Sequence, residues 1–262
     1  MTIDFLTKSM LQMFSRCPAQ FERRYIKNEI IPPGIAARQG SAVHKGAEVN
    51  HIQKITTKVD LAVEDIQDAA RDHYIHLIKE EGVFIPADKV SGKNRLLAEG
   101  LDNTTRLAKL YAEEVAPKIN PVMVEEKLFW DHPETGIPLS GTLDVLTEDN
   151  RLPDIKTSGK AKTQKEVDVS IDLTMYAGLV ANHTGKWPNK VSLEVLVNSR
   201  TPKYQCLEST RGPNDFFVLV QRVKVVWAQI QTGLFPPCAP DFWMCSPEWC
   251  GYYNSCRYSV KR

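Results

Sequence analysis

No stretch of the chain approaches the roughly 18 consecutive apolar residues of a membrane-spanning helix. The opening residues, MTIDFLTKSMLQMF, lack the basic start, apolar centre and small-residue cleavage site of a secretory signal. A reducing cytoplasmic setting is therefore expected. A G-x-x-x-x-G-K-(S/T) loop is missing, which excludes ATP-driven unwinding through that motif. Internal repeats, low-complexity tracts and linker-like segments are also lacking, so the 262 residues read as one domain, 1–262. Charge of one sign is not in excess: 33 Lys and Arg against 32 Asp and Glu leave a net +1. That balance does not exclude nucleic acid, because a polyanion needs a local basic face and not a basic total. With 42% hydrophobic residues the chain can bury an ordinary core. Cysteine is present but unevenly placed, four of the six lying between Cys238 and Cys256. In a reducing compartment such a cluster suggests metal before disulfides.

The N-terminal segment SMLQMFSRCPAQFERRYIKN carries Leu11, Phe14, Phe21 and Tyr25 at near-helical spacing. It reads as two short helices, the first capped by Ser9, with Cys17 at their junction and Pro18 in the second one's first turn. A loop, IPPGIAARQG, then leads to a helix capped by Ser41, with Val43, Ala47 and His51 on one face and His44 one position round. Two longer helical patterns follow, VEDIQDAARDHYIHLIKEE and RLLAEGLDNTTRLAKLYAEEVA, which should cover a sheet. Pro117 and Pro121 stop the second helix, and Pro121 opens the strand PVMVEEKLFW, where Glu125 and Glu126 alternate, so that one of them faces the same side as the acids that follow.

The centre of the chain is LSGTLDVLTEDNRLPDIKT, two strands joined by a turn over Glu148 to Arg151. Asp154 and Lys156, two apart, project from one face while Ile155 points to an apolar layer, and a hairpin would bring Asp144 to the same patch. Two carboxylates and an ammonium on a rigid support suit a hard divalent cation with a charged helper, as metal-assisted phosphodiester hydrolysis requires. A polar stretch to Asp168 reads as a loop whose Lys160, Lys162 and Lys165 could meet phosphates. A helix with Asp172, Tyr176 and Val180 on one stripe, two paired strands (VSLEVLVNS and KYQCLES) and a last helix from about Asn214 to Thr232 complete the order. That order suggests one mixed sheet of about five strands flanked by helices, an α/β fold.

These motifs resemble the RecB-like branch of the PD-(D/E)XK nucleases: a His in an early helix (His44 in GSAVHKGAE), a G-x-x-D strand (Asp144 in GTLDV), a (D/E)-x-K strand (Asp154 and Lys156 in DIKT) and a Q-x-x-x-Y helix (Tyr176 in DLTMY). The resemblance runs over nearly the whole chain and implies a restriction-endonuclease-like core, about 36–233. It implies that His44, Asp144, Asp154 and the carbonyl of Ile155 hold magnesium or manganese, that Lys156 helps the attacking water, and that Tyr176 belongs to the catalytic set. One position departs: Asp172 stands where the family usually has Gln, and an ionised carboxylate cannot donate to a phosphate oxygen. Asp172 could instead orient Lys156 or the attacking water.

The C-terminal CSPEWCGYYNSC places four and then five residues between Cys245, Cys250 and Cys256. The same resemblance, here to cluster-bearing relatives such as AddB-type subunits and the CRISPR-associated adaptation exonucleases, implies a fourth ligand from the Cys-Pro at Cys17. The implied cofactor is a 4Fe-4S cluster joining the chain ends, about 9–27 and 234–262. Zinc is an alternative, and Cys238 a competing ligand. Cys206 reads as a small buried hydrophobe, Phe216, Phe217 and Trp227 as core, and Trp243, Trp249, Tyr252 and Tyr253 as packing around the metal centre rather than a base-stacking platform.

The function expected from the resemblance is a metal-dependent DNA exonuclease, acting on single strands or free ends, 5′ to 3′, in recombination, repair or CRISPR-adaptation-like processing, with recombination or adaptation proteins as partners. The resemblance implies a phage-type member, which would work in the cytoplasm of its host. The alternatives are a non-catalytic DNA-binding or scaffold module keeping the cysteine centre, and an endonuclease on the same fold.

Overall fold

The computed structural model of the protein describes residues 3–260. The N-terminal segment forms α1 (Lys8–Arg16) and α2 (Pro18–Phe21), which runs on as one π-helical turn over Glu22–Ile26. Cys17 sits at the junction, donating its N–H to the Met13 carbonyl at 2.9 Å, and Pro18 opens α2. Thr7, not Ser9, caps α1, its hydroxyl accepting from the Met10 N–H at 3.3 Å. Next come α3 (Ile35–Thr57), α4 (Val63–His76) and α5 (Lys93–Glu114). The start of α3 lies at Gly34, because IAARQ is itself a good helix former, and Ser41 is an interior residue bonded to the Ala37 carbonyl. Val43, Ala47 and His51 are buried together, as their spacing requires. Gly46 permits α4 to cross closely: a Cβ there would come 2.8 Å from the Ile66 carbonyl oxygen.

The strands are β1 (Pro121–Asp131), β2 (Pro138–Thr147), β3 (Arg151–Ser158), β4 (Lys190–Val197) and β5 (Lys203–Ser209). Between β3 and β4 lie α6 (Gln164–Asp168) and α7 (Ile171–Thr184), and α8 (Pro213–Gln231) follows β5. The stretch expected as a polar loop contains α6, held by a capping box between Thr163 and Glu166.

The single sheet of about five strands is divided among two hydrogen-bonded ladders: β1 and β2 antiparallel, and β3–β4–β5, with β3 parallel to β4 and β4 antiparallel to β5. β2 and β3 lie side by side across their turn without sharing a ladder. Two observations explain the gap. Leu6 bridges to Leu139 on the free edge of β2, donating to the Pro138 carbonyl at 2.8 Å and accepting from the Ser140 N–H at 2.9 Å. Farther along, the Ile155 N–H is taken by the Asp144 carboxylate at 2.8 Å and not by a β2 carbonyl.

Both ladders contribute to the same two cores. One face, with Leu139, Leu143, Leu152 and Leu193, packs against α1, α7 and α8; the other, with Val145, Ile155 and Leu196, packs against α3, α4 and α5. On β3 the alternation is regular, Leu152 in one apolar layer and Ile155 in the other, and polar side chains are left where a helix does not close over them.

Candidate active site and cysteine centre

Asp144 and Asp154 come from the neighbouring strands β2 and β3, and His44 from α3. The His44 Nδ1 lies 3.4 Å from Asp144 Oδ1, while Asp144 Oδ2 accepts the Ile155 N–H. Asp154, 1% exposed, receives Lys156 Nζ at 3.0 Å on Oδ1, with the ammonium 2.8 Å from Oδ2. The Ile155 side chain points the other way into the α3–α5 core, as alternation demands.

Glu125 completes the group. Residues Val124 and Glu126 pair with Val145 and Leu143, so Glu125 stands opposite Asp144, with φ +49°. A non-glycine residue in that region is strained, and such strain gathers at functional sites. His44, Glu125 and Asp144 each offer a ligand atom within 4.8 Å of the others, the one such group among the described residues. An imidazole and two carboxylates at that spacing fit a hard divalent cation. Asp154 lies outside this group, committed to Lys156. The alternating Glu125 and Glu126 signalled a carboxylate here; the left-handed turn that selects Glu125 leaves no mark in the sequence.

The charges interact strongly. Burial pulls the His44 imidazole down, but Asp144 beside it outweighs that and holds it above its ordinary value. Burial would raise Asp144; the charge and hydrogen bond of His44, with Lys156 and the Ile155 amide, hold it well below the usual carboxylate range instead. Asp154 is raised by burial, which Lys156 only partly offsets, and by Asp144. Burial, with Asp144 adding to it, pushes Glu125 up to about 7.

His44, Glu125 and Lys156 line one open cleft of about 680 Å³, with Gly40, Lys45 and Thr157 around them. On the far side Asp172, in the first turn of α7 behind its Ser170 cap, lies 3.8 Å from Lys156 Nζ. Tyr176 is buried, its ring close over Gly141, where a Cβ would come 3.0 Å from it; this is why a glycine stands at position 141 of β2. Over residues 6–257 the sequence matches the PD-(D/E)XK nuclease superfamily.

The chain belongs to the PD-(D/E)XK nuclease superfamily. In fold it is similar to a crystal structure from Eubacterium rectale whose exonuclease assignment is provisional, with a TM-score of 0.62 at 11% identity, covering 99% of this chain and 90% of that one. A structure named SSO0001 aligns with a TM-score of 0.40 at 15% identity, over 84% of this chain and 96% of its own. No curated protein matches the sequence. The first likeness, at that identity, concerns the fold. Among the described residues no helix is long and apolar enough to cross a membrane.

The second cluster lies where α2 meets the C-terminal segment. Cys17, Cys245, Cys250 and Cys256 line one small cavity of about 40 Å³, and Cys238 lines it with them. Burial pushes the Cys238 thiol up to about 12, with Cys17 and Cys245 adding to the shift. Arg23 fastens the cavity wall, donating to Ser255 Oγ at 2.9 Å and lying 4.7 Å over the Tyr252 ring, while the buried Tyr252 hydroxyl donates to the Glu29 carbonyl. The expectation that all four aromatics pack here needs correction. Trp243 and Trp249 are 61% and 54% exposed, edge-to-face at 5.2 Å, because short turns hold them outside the cavity. Phe217 is likewise exposed on α8, and Cys206 is exposed on β5 with its Sγ 3.7 Å from Glu194.

Proposed function

We propose that the protein is a metal-dependent DNA exonuclease acting on single strands or free ends. The observation that carries this reading is that His44, Glu125 and Lys156 open onto one cleft, with Asp144 and Asp154 immediately behind them. His44, Asp144 and Glu125 would hold magnesium or manganese, with Asp154 and the Ile155 carbonyl as the further ligands that the resemblance implies. A divalent cation bound there supplies Lewis acidity at the phosphate and a more acidic water. Lys156, which lines the cleft beside these acids, would orient the attacking water and offset the charge that develops on the phosphate. Lys45, on the cleft wall, adds a cation for the DNA backbone. The 5′ to 3′ polarity and a role in recombination or repair processing follow from the resemblance to RecB-like nucleases.

The chain ends would hold a 4Fe-4S cluster through Cys17, Cys245, Cys250 and Cys256. What supports a metal centre here is that these four cysteines line one cavity together; the choice of an iron–sulfur cluster follows from the resemblance to cluster-bearing nucleases, and zinc is the alternative. Cys238 is the alternative ligand in the same cavity.

The experiment is a gel with end-labelled linear and closed circular DNA in manganese. Shortening of the linear strand with intact circles supports an exonuclease. Cut circles make the protein an endonuclease, and binding without cleavage makes it a scaffold module.

A further inference from the structure

The helix α1 carries none of the nuclease motifs, yet it reaches their centre. Lys8 Nζ lies 3.3 Å from Asp172 Oδ2, the same oxygen that Lys156 Nζ approaches at 3.8 Å. Gln12 Nε2 donates to the other oxygen, Oδ1, at 2.5 Å. Lys8 and Gln12 are four apart and so share a helix face. Lys8 also stands 4.6 Å over the ring of Tyr176, one turn beyond Asp172 on α7. The start of α1 is fixed: Leu6 is bonded into the edge of β2, the strand that carries Asp144, and Thr7 caps the helix. Nothing in the ladder or the cores requires a lysine and a glutamine at these positions.

Asp172 is therefore gripped from both sides, and the grip bears on Lys156. In this structure Lys156 is held by Asp154. Were Asp154 to serve as a cation ligand, that anchor would be lost; Asp172, 3.8 Å away, is the other carboxylate within reach of the ammonium. A carboxylate free to rotate would fix Lys156 poorly. We propose that Lys8 and Gln12 are positioning residues of the nuclease site: they lock Asp172, and Asp172 holds Lys156 against the scissile phosphate. This inference rests on the nuclease reading above.

The test uses the full-length protein with Lys8→Met, Gln12→Leu and Lys8→Arg, and the first two repeated with Asp172→Asn. Cleavage of end-labelled single-stranded DNA is measured under single turnover in saturating manganese. DNA affinity is measured in calcium, and manganese binding by the free-ion EPR signal. The expected result is a rate at saturating DNA lowered about 10- to 100-fold in Lys8→Met and Gln12→Leu, as misplacement of a reacting group produces. Lys8→Arg recovers most of the rate, DNA and manganese affinities stay at the wild-type level, and Lys8→Met has no added effect once Asp172 is Asn. Rates unchanged in both variants, a loss confined to DNA affinity, or effects of Lys8→Met and Asp172→Asn that multiply independently would each overturn the inference while leaving the nuclease reading intact. A wild-type protein that cleaves no DNA would overturn both.

Discussion

Glu125 and Asp144 face each other across the β1–β2 ladder, and Glu125 does so from a left-handed backbone conformation, φ +49°, that turns its carboxylate toward His44. Like charges opposed on adjacent strands destabilise a sheet, so the pair makes sense as a cation site. Glu125→Gln removes one of the converging charges. The expected outcome is a higher melting temperature of the metal-free protein together with manganese affinity reduced by at least about ten-fold. Calorimetric titration with manganese and a thermal melt of the same sample check both halves.

Gly141 offers a steric test of the same wall. A methyl there would meet the Leu179 side chain at 2.9 Å and the Tyr176 ring at 3.0 Å, and both are packed in the core. Gly141→Ala is expected to destabilise the fold by about 1–3 kcal/mol, the usual effect of overpacking. Denaturant titration at constant m-value checks it. Gly159, with nothing near its Cβ position, is the control: Gly159→Ala leaves the midpoint unchanged.

His51 sets a pH dependence of stability. It is 1% exposed, with Nε2 2.7 Å from the Tyr111 hydroxyl; Lys54 lies on its own helix, and Asp144 and Asp60 face it from β2 and the α3–α4 loop. Burial, with Lys54 adding, lowers it from 6.5 to about 4. A histidine neutral in the folded state and charged in the unfolded chain contributes its full stability above pH 6.5 and loses it as pH falls toward 4. The loss is up to roughly 3 kcal/mol. His51→Gln, which keeps a partner for Tyr111 and does not titrate, is expected to flatten that part of the stability curve relative to wild type. Denaturant midpoints measured across the window check it.

The cysteine centre is tested by metal content. Protein purified without oxygen is expected to be brown, with iron and inorganic sulfide in equal amounts. Cys17→Ser, Cys245→Ser, Cys250→Ser and Cys256→Ser each lose the colour, and Cys238→Ser keeps it. Colourless protein with stoichiometric zinc contradicts the assignment, and loss of colour in Cys238→Ser with retention in Cys17→Ser gives the fourth position to Cys238.

Much of this was legible in residue patterns, because alternation and helical spacing are local. Asp154 and Lys156 had to share a face, Ile155 had to oppose them, and Val43, Ala47 and His51 had to be buried together. What was not legible depended on contacts between distant segments. The split between β2 and β3 comes from Leu6 occupying one stretch of the β2 edge and from the Asp144 carboxylate taking the Ile155 amide. Glu125 could not be chosen over Glu126 without its positive φ. Lys8 and Gln12 reach Asp172 across some 160 residues of sequence, as the separation of Gln12 and Asp172 records. The exposed Trp243 and Trp249 show the converse, since apolar character alone did not place them inside.

The most direct measurement is the rate at which end-labelled single-stranded DNA is shortened in manganese by the wild type, Asp154→Asn and Lys156→Met, each shown to be folded by its melting curve. The wild type is predicted to degrade the strand, and each variant to be slower by at least about 100-fold. Variants that degrade it as fast as the wild type would contradict the placement of the active site at Asp154 and Lys156.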